Sequence, residues 1–330
     1  MTPTPTPAPT PGTAHHRRAS RLLAGIAFVA GTFGASACEP ASTPTATTTV
    51  PVTAPSGPAG WRYVGGDEFD GATLDTTRWS AYHNTYGDSN LELACLTPGN
   101  VAVSGGSARL TARKETVRCP GGTTEAYTSG FLGSRETGTY YPRYARFEVR
   151  AKLPHAQGLW PAFWLRHRGG AGVAEVDVME YFHAQVPGRT TQTLHLDGRT
   201  NLSKRTTPFE ASSTAVPGWH TWAVEIVPDP DGVRFRFFVD GALVHAYVDA
   251  QHAWASSAPA EGTWDLALNL AVGGRWVGHP GDVRGYLRDL DRCSIGGTPP
   301  SGCIDAGIND VDWSRSTYEI DYVRVWVPTP

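Results

Sequence analysis

The chain has 330 residues, a formal charge of −3 and 18% charged residues, so it carries no basic footprint for nucleic acid. Its length allows one large domain or two small ones. Eleven Trp and twelve Tyr exceed what a core usually needs; flat aromatic faces also stack on sugar rings, which leans the composition toward a carbohydrate ligand.

Residues 1–14 are a Thr/Pro tract that cannot build a core. A basic patch follows (His15, His16, Arg17, Arg18, Arg21), then an apolar run of 12 residues from Leu22 to Phe33, then Ala35-Ser36-Ala37. Charged, apolar, small is the order of a signal peptide, and the run is too short to span a bilayer. Residues 1–37 are therefore expected to direct export, with Arg17-Arg18 loosely resembling a twin-arginine signal. Cys38 directly after the small residues resembles the bacterial lipobox. The chain is expected either to be secreted freely or to be tethered to the outer face of the membrane through a lipid on Cys38. The other cysteines, Cys95, Cys119, Cys293 and Cys303, form an even set in an exported chain. Of three connectivities, the local pairs Cys95–Cys119 and Cys293–Cys303 are expected. Residues 38–58 are rich in Pro, Thr and Ser and read as an extended tether. One globular domain is expected over 59–330.

Inside that domain helical periodicity is almost absent. Short alternating apolar runs recur instead: 101–103, 108–112, 145–153, 221–227, 233–239, 263–272 and 318–327. Turn signals separate them, among them Ser104-Gly105-Gly106, Asp229-Pro230-Asp231-Gly232 and Asp240-Gly241. The clearest hairpin runs from Val233 and turns at Asp240-Gly241. The pattern predicts an all-β sandwich or barrel.

Glu175-Val176-Asp177-Val178-Met179-Glu180 places three acids within six residues of strand-forming sequence. In a regular strand 175, 177 and 179 share one face and Glu180 points the other way. A bulge at 178–179 would bring Glu180 back beside Glu175 and Asp177, and bulges are common beside active sites. Two glutamates flanking an aspartate suit glycoside hydrolysis with retention: a nucleophile, a general acid/base and a neighbour that tunes both. A solvated edge strand is the competing reading.

Several ordered segments resemble glycoside hydrolase family 16. Glu175–Glu180 is similar to that family's bulged E-x-D-x-(x)-E strand. Gly66–Gly71, with Leu74-Asp75 and Trp79, resembles its opening strand, and Asn90-Leu91-Glu92-Leu93 its N-x-E-L segment. Tyr144–Pro154 resembles Y-G-R-x-E-x-R-A-K-L-P, and Gly158–Leu165 resembles G-x-W-P-A-F-W. Leu268–Gly274, with Trp276, resembles L-N-L-A-V-G-G-x-W of the laminarinase-like, endo-β-1,3-glucanase branch. Ile320–Val325 resembles the closing strand.

The resemblance implies a concanavalin A-like jelly-roll sandwich of two antiparallel sheets with a concave substrate cleft. It implies Glu175 as nucleophile, Glu180 as acid/base and Asp177 between them. His195 matches a histidine near this row, able to bond Asp177 or a sugar hydroxyl. Trp160 and Trp164, four apart on a strand, share a face and line the cleft by the same match. Asn90 and Arg146 are implied sugar-binding residues, and Trp276 a stacking platform; Glu92 fits either the cleft or a surface ion pair. Glu68, the Gly106 carbonyl and Asp321 match ligands of a structural Ca²⁺; no cofactor is expected for catalysis. The expected partner is a polysaccharide, the expected state a monomer, and the expected reaction retaining endo-hydrolysis of β-1,3-glucan. Mixed-linkage glucan, a galactan, transglycosylation or sugar binding without catalysis are the alternatives. Two features depart from the family. No Trp-Pro precedes the nucleophile, where His167–Ala174 stands, and residues 284–316 read as an insertion.

Overall fold

In this computed structural model the described residues are 55–154, 156, 158–170, 173–182, 189–206, 218–274, 277, 280 and 313–330. The proposed leader, Cys38, most of the tether, Trp276 and the Cys293–Cys303 pair lie outside them. The strands in chain order are β1 (Trp61–Asp67), β2 (Ser80–Ala81), β3 (Ala94–Leu96), β4 (Val101–Val103), β5 (Ala108–Thr111) and β6 (Arg113–Arg118). Then come β7 (Thr124–Ser129), β8 (Phe131–Gly133), β9 (Ala145–Lys152), β10 (Leu159–His167), β11 (Ala174–Tyr181) and β12 (Thr190–Leu196). The last six are β13 (Arg199–Thr206), β14 (His220–Asp229), β15 (Gly232–Val239), β16 (Ala242–Asp249), β17 (Trp264–Val272) and β18 (Thr317–Pro328). The helical segments among the described residues are short 3₁₀ turns.

Two antiparallel sheets carry the jelly roll. The first runs β16-β15-β14-β9-β18-β5-β4, with β1 also paired to β18. The second runs β13-β12-β11-β10-β17-β8-β2. The alternation expected of half-buried strands decides which side of each strand enters the core. On β9, Phe147, Val149 and Ala151 point inward while Arg146, Glu148 and Arg150 face away. On the second sheet, Phe163, Leu165, Val176, Leu266 and Leu268 meet them in one cluster. The alternating β15 turns into β16 at Asp240-Gly241, where φ is +47° and +77°. Two consecutive positive φ values make a type I′ turn, for which Asp-Gly is suited.

A third, three-stranded sheet, β3-β7-β6, was not foreseen, and its β3–β7 pair is parallel. The Cys95–Cys119 disulfide, expected as a local pair, ties β3 to the end of the β6–β7 hairpin. The opening strand is earlier than its motif: β1 ends at Asp67, and Phe69 has φ +51°, so Glu68–Gly71 form the turn after it.

Candidate active site

β10 is buried along nearly its whole length, which is why it reads as a nearly unbroken apolar run. Leu159, Phe163 and Leu165 enter the core, and the alternate residues Trp160, Ala162, Trp164 and Arg166 face outward. On β17 the outward set includes Asp265 and Asn269, and on β12 it is Thr191, Thr193 and His195 by register against β11.

β11 breaks that alternation once. Register pairs Phe163 with Met179 but Trp164 with Asp177, which leaves Val178 unmatched on β10. Against β12, Asp177 faces Thr193 and Glu180 faces Thr191, three residues against two. This is the β-bulge that parity requires. Val178 and Met179 both go into the core, and Glu180 returns to the side of Glu175 and Asp177. The three acids line one cavity of about 440 Å³.

Oxygens of Glu175 and Asp177 and a ring nitrogen of His195 lie within 4.8 Å of one another. His195 Nε2 is 3.3 Å from Asp177 Oδ2 and 4.0 Å from Glu175 Oε1. Thr193 Oγ1 donates to Glu180 Oε2 at 3.3 Å. Burial raises all three carboxyl pKa values because a charge is costly away from water. For Asp177, only 5% exposed, the Glu175 charge adds to that, and its pKa stands well above the usual range. Glu180 is likewise pushed well up by burial, then by the charges of Asp177 and Glu175. Glu175 is raised by burial but opposed by His195 and Arg166. Burial thus pushes Glu180 up further than Glu175, so of the two glutamates Glu180 holds a proton more readily, with Asp177 placed to share a proton with its neighbour.

Of the residues expected to bind sugar, Asn90, Trp160 and Trp164 line the same cavity. Trp160 packs on Phe182, ring centres 5.2 Å apart, and Trp164 Nε1 donates to Asn269 Oδ1 at 2.8 Å. Tyr86, Phe131 and Asn269 also line it and were not singled out for this role, and Glu92, open between the cleft and a surface ion pair, lines it too. Asn269 had a signal: it is the one polar residue in the apolar run Leu266–Val272. Tyr86 comes from a short 3₁₀ turn and Glu92 from the chain after it, without periodicity.

Arg146 is not at the cleft. It stands on the far face of the first sheet, where Glu148 and Glu225 take its guanidinium at 2.5 and 2.9 Å and Phe238 covers it. The calcium set also fails to fit. Arg324 grips Glu68 through two bonds of 2.8 and 2.7 Å, and Arg150 holds Asp321 at 2.6 Å. Two carboxylates already compensated by guanidinium groups leave little anionic charge for Ca²⁺ at these residues with Gly106.

The family model for glycosyl hydrolases family 16 matches residues 92–286, which is 195 of the 330. A "Beta-glucanase" of Rhodothermus marinus is 31% identical over 242 residues, 67% of this chain and 79% of that protein. "Glucan endo-1,3-beta-glucosidase A1" of Niallia circulans is 28% identical over 295 residues, 81% of this chain, but this chain spans only 38% of that protein. The X-ray structure of endo-beta-1,3-glucanase from Pyrococcus furiosus superposes with a TM-score of 0.62 at 25% identity, over 82% of this chain and 95% of that one. With more than half its length inside the family match, and with the family's acidic row folded into a cleft, this chain belongs to glycosyl hydrolases family 16.

Proposed function

We propose that the protein is an exported endo-glycosidase that hydrolyses β-1,3-glucan with retention, through a covalent glycosyl-enzyme. The observation that carries this reading is the bulge, which gathers Glu175, Asp177 and Glu180 on one cleft wall. The names of the relatives support the glucan. In the first step Glu175 forms a bond to the anomeric carbon. The glycosidic C–O bond breaks, and its oxygen takes the proton of Glu180. In the second, Glu180 takes a proton from water, the hydroxyl attacks the anomeric carbon, and Glu175 leaves as carboxylate. The raised pKa of Glu180 suits the first step, and Arg166 and His195 help to keep Glu175 charged. Trp160 and Trp164 supply cleft walls, and the leader supplies export, either to free secretion or to a membrane tether through a lipid on Cys38.

A reducing-sugar assay on laminarin, lichenan, agarose and carrageenan tests the substrate. Release from laminarin is expected; release from none of the four sinks the reading, and lichenan alone shifts it to mixed-linkage glucan. Glu175→Gln should lower turnover about a thousandfold or more, and a wild-type rate in that variant would remove Glu175 as nucleophile.

A further inference from the structure

β12 runs beside the acid strand, and its outward side carries three polar groups, Thr191, Thr193 and His195. His195 serves Asp177 and Glu175. The two threonines stand on either side of the place where Glu180 returns to the row. They are 1% and 7% exposed, and neither lines the cavity that holds the acids. Their hydroxyls are therefore set to act on the acid rather than on a ligand in that cavity.

Register makes the two hydroxyls unequal. Thr191 is the direct partner of Glu180, and Thr193 the direct partner of Asp177. Glu180 nonetheless bonds the diagonal residue. Thr193 Oγ1 donates to its Oε2 at 3.3 Å, while Thr191 Oγ1 has no hydrogen-bond partner. A diagonal neighbour on the next strand is within reach of a side chain as long as glutamate's. The bulge explains the choice. Val178 and Met179 both turn into the core, so the Glu180 carboxyl comes back to the face on the Asp177 side, and Thr193 is the hydroxyl opposite Asp177.

Among the described residues this is the one hydrogen bond on the Glu180 carboxyl. It distinguishes two oxygens that are otherwise chemically equal. Oε2 takes a donor from the buried side, and Oε1 is left for the cavity that Glu180 lines. A neutral carboxyl carries its proton on one oxygen only. A proton on Oε2 would point at Thr193 and away from any glycosidic oxygen. With Oε2 already accepting from Thr193, the proton rests on Oε1. Once that proton has been given up, Glu180 is a carboxylate and the bond from Thr193 becomes charge-assisted and stronger. The same contact then holds the group in place for its second task, taking a proton from water.

We propose that Thr193 is a positioning residue of this centre: its hydroxyl holds Oε2 of Glu180 and so keeps the proton of the acid on Oε1, toward the bond to be broken. The proposal rests on the reading of Glu180 as acid/base above. Thr193 stands outside the cavity and acts through Glu180 alone.

The test compares two substrates on the full chain. Laminarin leaves as a sugar hydroxyl, whose oxygen must be protonated as the bond breaks. A dinitrophenyl β-laminaribioside leaves as a stable phenolate and needs no acid. The readout is the ratio of kcat/KM on laminarin to that on the aryl substrate, which damage to the fold or to the nucleophile would not move. Thr193→Val keeps the shape, removes the hydroxyl and should lower the ratio about tenfold. Thr193→Ser keeps the donor and should restore it. Thr191→Val removes a hydroxyl that Glu180 does not use and should keep the ratio within about twofold of wild type. A Thr193→Val ratio within about twofold of wild type, or an equal fall in Thr191→Val, overturns the role of Thr193. Glu180→Ala tests the reading beneath it and should lower the ratio about a hundredfold or more. An unmoved ratio in that variant, or a wild type that cleaves neither substrate, sinks the acid/base reading and the proposal with it.

Discussion

Replacing Asp265 by Asn keeps the side chain's shape and removes its charge. In the folded chain that carboxylate is wholly buried; Arg166 Nε holds one oxygen and Arg135 Nε the other, both at 2.7 Å. The two arginines respond differently. Arg135 is 29% exposed at its side chain and can turn toward water, so its share of the loss is small. Arg166 is 2% exposed, packed against Tyr82, Phe131 and Trp164, and cannot follow. Breaking a buried pair in this way costs about 3–5 kcal/mol, because the buried charge is left with only the half-exposed Glu136 carboxylate, 3.9 Å away, as counterion. For a domain of this size each kcal/mol moves Tm by ~2–4 °C, so a fall of about 6–20 °C is expected. Thermal unfolding followed by circular dichroism measures it. Adding Arg166→Met should restore most of the loss, since an uncharged pair has nothing to compensate. A single variant within about 2 °C of wild type, or a double variant no more stable than the single, would refute the reasoning.

Three further outcomes follow from the same geometry. The pKa of Glu180 is raised in the folded state, so its contribution to stability is full below the unfolded carboxyl pKa of about 4.3 and is lost as pH rises through the folded value. Glu180→Gln, a mimic of the protonated acid, should therefore unfold at a higher temperature than wild type at neutral pH, the gap closing toward pH 4; an equal gap at both pH values would contradict this. Arg166→Met removes a positive charge that lowers the pKa of Glu175, so the acid limb of the kcat/KM profile should move to higher pH; pH-rate measurement decides, and an unmoved limb counts against Arg166. Reducing Cys95–Cys119, which spans 24 residues, should cost about 3 kcal/mol by the chain-entropy estimate, and unfolding in urea with and without reductant reads it.

Parity made much of this site legible in the sequence. Strand alternation is strict enough that three acids spaced 175, 177 and 180 can share a face only through a bulge, and the register shows one. Alternation also picks out Trp160 and Trp164, but it cannot say which of two sheets a strand joins. Arg146 shows the limit: its strand matched the family motif, yet β9 belongs to the first sheet and the side chain faces away from the cleft. The parallel β3–β7 pair was hidden because three residues, Ala94-Cys95-Leu96, are too few for a period to show. Tyr86 reaches the cleft from a short 3₁₀ turn, where position depends on tertiary packing and leaves no local pattern, whereas Glu92 was legible only through its N-x-E-L segment, as one of two readings.

The place of β18 has a consequence for how the protein is made. It pairs with β9 on one side and with β5 and β1 on the other, so among the described residues it alone joins β1, β4 and β5 to the rest of the first sheet. Yet it follows all of them in chain order, more than 160 residues after β9. Until Thr317–Pro328 emerge, β1 has no strand to pair with, and β9 and β5 each show an unpaired edge. Such edges invite association between nascent chains, and pairings this distant in sequence form slowly. Folding of this sheet therefore waits until β18 has been made, which leaves those edges open to holding by chaperones during synthesis.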